Sequence, residues 1–413
     1  MKLLRLAYRN VLRNTRRSVI TFTAIAVGIL ALVFVEAMLS GLGSQSEINL
    51  IDNQTSHLKL FAPGYEENKE EIPLEFALDQ PERVVAEVSR AFGVVGSTKR
   101  LMFPAMLNNG LNDLACVGIG IDLDTDGQVF RLKQAVEQGA YLAAGDEAML
   151  LGSGLAKIFQ VRVGDYLTLI VRTYYDAIEA RDLMIKGIVD TGNPTIDRGT
   201  VYLPLKLAQA SLEMENKATE VAVRLASRKQ LPRAIEEIEQ GLGRAQIRAE
   251  LSPWEKLAED FLALHRMKKG ASGLIVAIIV IIAGVGMVNT MLMASFERTR
   301  EVGMLMALGM KPREAGWLFL LEGALIGLCG SALGCLIGGG LGYYTEVHGL
   351  MDLTKMYGDM DIGYPVKGML YCDVSVAAVL SAFVFGVVVA VLASAYPAWR
   401  AARLQPTEAL RHV

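Results

Sequence analysis

The sequence predicts a membrane protein with four transmembrane α-helices and a large exported α+β domain. Of its 413 residues 52% are apolar, and the mean hydropathy of +0.34 is high for a soluble protein. The 21% of charged residues are too many for a chain lying wholly in the membrane. Four long apolar runs alternate with charged segments. We therefore expect membrane-spanning and water-exposed regions in one chain.

Each apolar run is long enough to cross a bilayer, for which about 20 residues suffice. The predicted spans are residues 18–41, 270–296, 316–344 and 374–398. The first run could instead be a secretory signal peptide. It is longer than the apolar part of such a peptide, however, and no convincing small-residue cleavage site follows.

Basic residues predict the orientation, since they cluster at 1–17, 297–313 and 399–413. Cytoplasmic loops carry an excess of Lys and Arg. Four spans put these three segments on one side, which is therefore predicted to be the cytoplasm. The mainly acidic connection 345–373 and the long segment 42–269 are then outside.

Residues 1–17 are predicted to form a cytoplasmic amphipathic helix. Arg5, Arg9, Arg13 and Arg16 share one helical stripe beside a row of apolar side chains. This pattern is typical of a helix on an anionic membrane surface, so membrane lipids are expected partners. Nucleic-acid binding is disfavoured because an apolar run follows at once.

The exported segment repeats the order strand, helix, strand. The predicted strands are 57–61, 94–102, 219–225 and 245–251, and the helices are 81–92 and 232–241. Two such units predict one split α/β layer formed by residues 42–104 and 206–265. Residues 105–205 are predicted to be an inserted, mainly β subdomain, with strands at 166–171 and 183–189 and a short connection at 172–181. The alternative is one continuous α+β domain.

Residues 297–313 are predicted to be a short amphipathic helix between two spans. Val302, Leu305 and Met306 fall on one helical face, and a charged first turn lies beside them. Gly309 can adopt the left-handed conformation that ends a helix. An ordinary solvated loop helix is an equally acceptable interpretation of the physical pattern.

The predicted spans contain two acids of uncertain role, Glu36 and Glu322. Charges within spans are costly and often functional. Because both lie away from the span centres, we favour structural roles over substrate contact. The third span also carries a row of small residues suited to helix packing within the chain or between two copies: Gly323, Gly327, Gly330, Gly334, Gly338 and Gly342.

Catalytic motifs are not found in the sequence. The dipeptide Gly-Lys of a phosphate-binding loop is absent, as are HExxH, CxxC and GxSxG. The four histidines have no ligand spacing, so neither a catalytic nor a metal site is predicted. The four cysteines are interpreted as small buried side chains, and a 116–372 disulfide is the less favoured alternative.

Several motifs resemble one family. They are RNVLRNTRRS before the first span, ERTREVGMLMALGMKPRE after the second, LEGALIGLCGSALG in the third and YPAWRAARLQPTEALR at the end. In this order they resemble the FtsX/MacB/LolE family of ABC-transporter permeases over nearly the whole chain. The exported motifs LLGSGLAKIFQVRVGDYLTL and GIVDTGNPTIDRGTVYLPLKLAQ resemble its lipoprotein-releasing LolC/LolE branch.

The resemblance implies a multi-pass protein of the bacterial inner membrane with a large periplasmic domain. The expected partners are a second permease chain, identical or homologous, and a cytoplasmic ABC ATPase dimer. ATP and Mg would be bound by that partner, and no cofactor by this chain. The exported parts would be Porter-like (42–104 and 206–265) and Sabre-like (105–205). The ATPase would seat on a coupling helix formed by Glu297, Arg298, Thr299, Arg300, Glu301, Val302, Gly303, Leu305, Met306 and Gly309.

Three functions follow from the resemblance. The first is a permease that couples ATP hydrolysis to periplasmic motion and extracts lipoproteins for a periplasmic carrier. The connection 172–181 is short for the carrier-binding hook of that branch, which favours the other half of the pair or a homodimeric relative. The alternatives are a MacB-like exporter of drugs or peptides and an FtsX-like mechanical transmitter that regulates a periplasmic hydrolase.

Overall fold

The computed structural model describes residues 2–13, 15–297, 299–357 and 364–403, with only the backbone at Lys2, Arg17, Glu70, Tyr357 and much of 269–300. Its helices are α1 Lys2–Arg13, α2 Thr15–Leu50, α3 Pro81–Val88, α4 Asp126–Val129, α5 Ser153–Phe159, α6 Pro194–Asp197, α7 Leu205–Leu212, α8 Leu231–Arg244, α9 Trp254–Leu257, α10 Glu259–Glu297, α11 Thr299–Ala307, α12 Pro312–His348, α13 Leu353–Tyr357 and α14 Val376–Ala402. Its strands are β1 Leu58–Phe61, β2 Val94–Asn108, β3 Asp113–Ile121, β4 Val136–Gly139, β5 Ala148–Gly152, β6 Tyr166–Arg172, β7 Ile178–Val189, β8 Thr200–Pro204, β9 Glu220–Leu225, β10 Glu250–Pro253, β11 Met351–Asp352 and β12 Met369–Leu370.

The chain divides into two compact units. The helical unit comprises residues 1–44, 264–352 and 369–413. The sheet unit comprises residues 45–263 and 353–368. The segment 353–368, predicted only as part of a loop, thus belongs with the sheet unit.

Three helices among the described residues are long and apolar enough to cross a membrane. They lie at Ser18–Thr55, Pro312–His348 and Val376–Ala402. The predicted second span, 270–296, lies within the 39-residue helix α10, where many side chains are outside the described set. The structure therefore supports three of the four predicted spans by length and composition.

The glycine row of α12 packs inside the helical unit. A Cβ at Gly327 would lie 2.4 Å from Ala390 Cβ of α14, and one at Gly334 would lie 2.6 Å from the Ala26 carbonyl of α2. These separations are too short for a side chain, so glycine allows both neighbouring helices to approach α12 closely. Of the two alternatives, the row is used for packing within the chain.

The sheet unit contains the split layer. Four strands lie in the order β10-β1-β9-β2, with β1 antiparallel to β9 and β10, and β2 antiparallel to β9. Each strand–helix–strand unit therefore has a strand of the other unit between its own two strands, which is the split βαβ arrangement. Both α3 and α8 cover one face, where Val84 and Ile238 join the core that includes Leu58 and Val221.

The inserted residues extend the same sheet. It continues from β2 through β3-β8-β5-β7-β4, and β6 pairs with β2 and β7. The 15-residue β2 pairs with β9 along its first half and with β3 and β6 further on. The insert is strand-rich, as predicted, but it shares one continuous sheet with the split layer.

The connection between β6 and β7 is a tight turn of residues 173–177. The Thr173 backbone N–H donates to the Ala177 carbonyl at 2.7 Å, and Arg172 forms an exposed ion pair with Asp176 at 3.0 Å. Both strands are longer than predicted, so the turn is shorter than the predicted 172–181 connection.

The other face of the split layer buries charges. Lys59 Nζ lies 2.8 Å from Glu220 Oε2, and Arg100 Nε lies 2.7 Å from Asp126 Oδ1. The Arg100 guanidinium also lies 3.4 Å from the Phe130 ring centroid. Burial lowers the pKa of Lys59, and the Glu220 charge opposes that shift. Removal of one member would leave its partner buried and uncompensated.

The four cysteines are free, so the alternative 116–372 disulfide is not formed. Cys116, Cys335 and Cys372 are buried as predicted, and burial raises the pKa of Cys116 to about 12. The prediction was wrong for Cys329, which is exposed on α12. The apolar run that contains Cys329 predicts a span but not which side faces outward.

Candidate coupling site

The predicted coupling segment is anchored by its own helical unit. Val302 and Met306 on α11 are buried, and they share a cluster with Ala315 and Phe319 of α12 and with Ala398 of α14. Their spacing of four residues places both side chains on one helical face. This face holds α11 against the spans.

The opposite side of the segment is apolar and exposed. The exposed fraction is 48% for Met304 and 86% for Leu308. Gly309 then ends the segment with a φ of +102°, in the left-handed region that glycine adopts at no steric cost. Among the described residues of this segment, Met304 and Leu308 are therefore large apolar side chains that are available to another protein.

This arrangement corrects the predicted contact surface. Val302 and Met306 were predicted to contact the ATPase, but they are covered by α12 and α14. Leu305 is half-buried, and Gly303 is buried. An amphipathic pattern predicts which side is apolar, not whether the same chain covers it.

The charged first turn is described only in part. Arg298 lies outside the described residues, and Glu297, Thr299 and Arg300 are described by backbone alone. Glu301 Oε1 lies 2.5 Å from Arg13 Nη2 of α1, and both side chains are exposed. Such a surface pair contributes less than about 1 kcal/mol, so it orients the segment more than it stabilises it.

The amino-terminal helix α1 is fastened to α12 by Glu322. This carboxylate is buried, and its Oε1 accepts a hydrogen bond from Asn10 Nδ2 at 2.6 Å. A structural role was favoured for Glu322, with nearby basic groups as expected partners; the Asn10 amide is one partner, and the expected basic partners stay a prediction. Through Asn10 and Arg13, α1 contacts both α12 and α11.

The outer side of α1 keeps the predicted amphipathic character. Leu4, Tyr8 and Leu12 are more than half exposed and lie four residues apart. Arg5 and Arg9 are exposed beside them. Ala7, in contrast, is fully buried. This side has the chemistry of a membrane-surface helix, which stays a prediction.

Glu36 lines a small cavity of about 190 Å³ between α2 and the start of α14. The cavity is also lined by Ser40, Asp373 and Ser375. Asp373 Oδ2 accepts a hydrogen bond from Ser44 Oγ at 2.8 Å, and its backbone N–H donates to the Ala37 carbonyl at 2.9 Å. Glu36 thus has a polar neighbourhood, and its role stays a prediction.

These features have the chemistry of a protein-binding surface, and no nucleophile with an activating base has been found among the side chains of the site that the structure describes. The site residues predicted from the sequence do not include Met304, Leu308, Asn10 or Arg13. The spacing of Met304 and Leu308 by four residues was the available signal for a second apolar face. The contacts of Asn10 with Glu322 and of Arg13 with Glu301 join distant parts of the chain, so the local sequence does not predict them.

Comparison with known proteins assigns the family. Residues 18–241 match the MacB-like periplasmic core domain, and residues 273–406 match the FtsX-like permease C-terminal domain. This chain belongs to the FtsX/MacB family of ABC transporter permeases. The predicted family resemblance is therefore confirmed, and the permease carries a periplasmic core domain of the MacB type.

Three relatives illustrate the similarity. The permease is 24% identical over 407 residues to the lipoprotein-releasing system transmembrane protein LolC of Xylella fastidiosa, covering 96% of this chain and 94% of the relative. It is 23% identical to the uncharacterized ABC transporter permease YvrN of Bacillus subtilis, covering 99% of each chain. It is 34% identical over 132 residues to the macrolide export ATP-binding/permease protein MacB of Syntrophobacter fumaroxidans, covering 32% of this chain and 16% of that protein.

Proposed function

We propose that this permease couples ATP hydrolysis by a separate cytoplasmic ABC ATPase dimer to motion of its exported domain, and so extracts lipoproteins from the bacterial inner membrane. The similarity to LolC over 96% of the chain carries this proposal. The chain works as a dimer with a second permease, identical or homologous.

The coupling step uses the two faces of α11. Met304 and Leu308 bind the ATPase, while Val302 and Met306 keep the helix on the spans. Because α11 is packed against α12 and α14, a movement of the ATPase then displaces the spans as well as α11. Exposed apolar anchors of this kind carry most of the energy of an interface.

The transmission step uses continuous helices. α10 runs for 39 residues from Glu259 to Glu297, and α11 begins at Thr299. α2 continues to Leu50, beyond the predicted span 18–41, and leads into the π-helix Ile51–Thr55. Each helix therefore contains residues of both units, so the chain passes from one unit to the other within a helix.

The β6–β7 turn limits the role assigned to the chain. A five-residue turn closed by the Thr173–Ala177 hydrogen bond is too short for an extended hook. We therefore assign any contact with a periplasmic carrier to the second permease of the pair.

Depletion of the permease in its own organism tests the cargo. We expect mature lipoproteins to accumulate in the inner membrane, as measured by membrane fractionation and palmitate labelling. Wild-type protein and the exposed-surface variant Lys206→Met should both restore sorting. Normal lipoprotein sorting after full depletion would contradict the proposed cargo.

Export of drugs or peptides is the second candidate, because the MacB relative is 34% identical over 132 residues. In that case deletion would alter drug sensitivity, and the effect would require an outer-membrane partner. Altered drug sensitivity together with normal lipoprotein sorting would favour this candidate.

A further inference from the structure

A loop in the sheet unit binds two segments whose chain leads directly into membrane spans. This loop, residues 190–198, follows β7 and includes α6, and we name it the clamp loop. It lies within the exported motif GIVDTGNPTIDRGT. The proposed function does not assign a role to this motif.

The clamp loop has a defined shape set by its own side chains. The Gly192 backbone N–H donates to Asp190 Oδ1 at 2.9 Å, which closes an Asx turn. Asn193 caps the short helix by accepting from the Thr195 backbone N–H, and Pro194 occupies its first turn. Asp197 Oδ1 then accepts from the backbone N–H and the hydroxyl of Thr191, at 3.0 and 2.9 Å.

The first bound segment is the end of α2. Asn49 Nδ2 donates to the Thr191 carbonyl at 2.7 Å. Asn49 lies on the helix that contains the first candidate span. The carbonyl is fixed because the N–H of the same Thr191 is held by Asp197.

The second bound segment lies in the connection from α12 to α14, where residues 353–357 and 364–368 are described. Lys367 Nζ lies 3.0 Å from Asp190 Oδ2 and also pairs with Glu137. The Leu353 backbone N–H donates to the Gly368 carbonyl at 2.9 Å, so the two ends of the segment are joined. Both the Asp190 and the Glu137 charge raise the pKa of Lys367 against the effect of burial, which keeps the ammonium charged.

Gly192 is the point where both segments meet the clamp loop. Its φ is +74°, and a Cβ there would lie 2.7 Å from Lys367 Cβ and 3.3 Å from Asn49 Nδ2. A side chain at this position would push away one or both segments. Glycine is therefore required by conformation and by space.

We propose that the clamp loop is where the sheet unit holds the two chain segments leading to the membrane spans, with Lys367 as the positioning residue that secures the α12–α14 connection. As a mechanism of coupling, this inference rests on the proposed function. Movement of α2 and of the α12–α14 connection then reaches the same nine residues.

Hydrogen exchange of the full-length chain in phosphatidylethanolamine/phosphatidylglycerol nanodiscs tests the clamp without nucleotide. We expect Lys367→Met to speed exchange of the Thr191, Gly192 and Gly368 amides by about ten-fold, because local opening controls exchange. Gly192→Ala should have the same effect. Lys367→Arg, which keeps the charge, and the exposed control Lys206→Met should stay within roughly two-fold of wild type. Equal exchange in Lys367→Met and Lys206→Met would overturn the proposal.

Addition of the ATPase and ATP tests the coupling role. We expect nucleotide to change exchange in the clamp loop of wild type and of Lys206→Met, and to change it less than half as much in Lys367→Met. An equal response in Lys367→Met would overturn the positioning role. If the ATPase does not associate with wild type, the proposed function fails, and the nucleotide-free comparison still decides whether Lys367 secures the clamp.

Discussion

At the scale of single residues, two buried titratable groups of the sheet unit make stability depend on pH in opposite directions. Burial raises the pKa of Asp197 to about 7, and the Asp190 charge adds to the shift while the Thr191 hydrogen bonds oppose it. Burial lowers the pKa of His57 to about 4, with smaller contributions from Arg224 and Arg228. The folded state thus favours the neutral form of each.

Asp197→Asn should change the pH dependence of stability in a defined direction. Between pH 4 and 7 the folded state binds a proton at Asp197 that the unfolded state lacks, so this group lowers the free energy of unfolding as pH rises. The amide of Asn resembles the protonated acid and does not titrate. We expect the variant to gain roughly 1–4 kcal/mol over wild type between pH 5 and 8, measured by hydrogen exchange of the sheet core.

The charges around Asp197 supply the controls for this measurement. Asp190 faces it directly, and Lys367 and Glu137 lie beyond Asp190. Lys206→Met should leave the pH profile unchanged. An identical profile in Asp197→Asn and wild type would show that Asp197 is ionised throughout this range.

His57→Gln should act with the opposite sign. The unfolded state binds a proton at His57 between pH 6.5 and 4 that the folded state lacks, so wild type loses stability as pH falls. The variant should lose less stability over this acid range in the same exchange experiment. A steeper acid loss in the variant would contradict the assignment.

Single-residue environments were the least predictable feature of the sequence. The alternation in β1 predicts that Leu58 and Leu60 face a core, and both are fully buried. It does not predict that Lys59 is also buried, because its partner Glu220 lies on a strand far along the chain. Val302 shows the same limit. The pattern places it on an apolar helical face, but it does not predict that residues of α12 and α14 bury that face.

At the scale of elements, the two faces of α11 lead to different mutant behaviour. Met304→Asp with Leu308→Asp should weaken binding of the ATPase by at least about 2 kcal/mol, or roughly thirty-fold in Kd, because buried apolar anchors dominate interfaces. Membrane insertion and thermal stability should be unchanged. Pull-down of the ATPase from detergent extracts measures the effect, with Met304→Leu as the retained-binding control.

Val302→Asp should instead destabilise the helical unit, because it places a charge among Ala315, Phe319 and Ala398. Lower thermal stability in detergent is the expected result. If Val302→Asp lost ATPase binding at full stability, while the Met304 and Leu308 variant bound normally, the two faces would be assigned the wrong way round.

The glycines of α12 predict a second contrast between matched variants. Gly334→Val places a side chain against the Ala26 carbonyl and Ile29 of α2, which should cost about 1–3 kcal/mol. At Gly340 on the same helix an added Cβ meets nothing within 4 Å, so Gly340→Val is the matched control. We expect a lower melting temperature only for Gly334→Val; equal melting temperatures would contradict the packing of α2 on α12.

Elements were predicted well where local pattern determines them. The strand near residue 58, the helix starting at Pro81 and the hairpin strands β6 and β7 all lie where periodicity and proline predicted them. The placement of β9 between β1 and β2 depends on contacts between distant residues, which local pattern does not contain. The extension of α2 to Leu50 was missed because its last turns are polar, although Leu50 and Ile51 join the sheet-unit core.

At the scale of the whole molecule, composition and charge predict the architecture. Apolar runs predict spans, and the three basic segments predict their orientation. The clamp could not be predicted, because Asp190 of the clamp loop and the two partners Asn49 and Lys367 come from three separate parts of the sequence. Family membership supplies the class of transporter, and the proposed cargo depends on the similarity to LolC.

The central claim is that α11 faces the cytoplasm while the sheet unit lies outside. A membrane-impermeant maleimide tests it in cells with a permeabilised outer membrane, using chains without the four native cysteines. We predict that Tyr175→Cys, in the exposed β6–β7 turn, is labelled in intact cells and that Leu308→Cys is labelled only after lysis. Labelling of Leu308→Cys in intact cells, with Tyr175→Cys protected, would contradict the account.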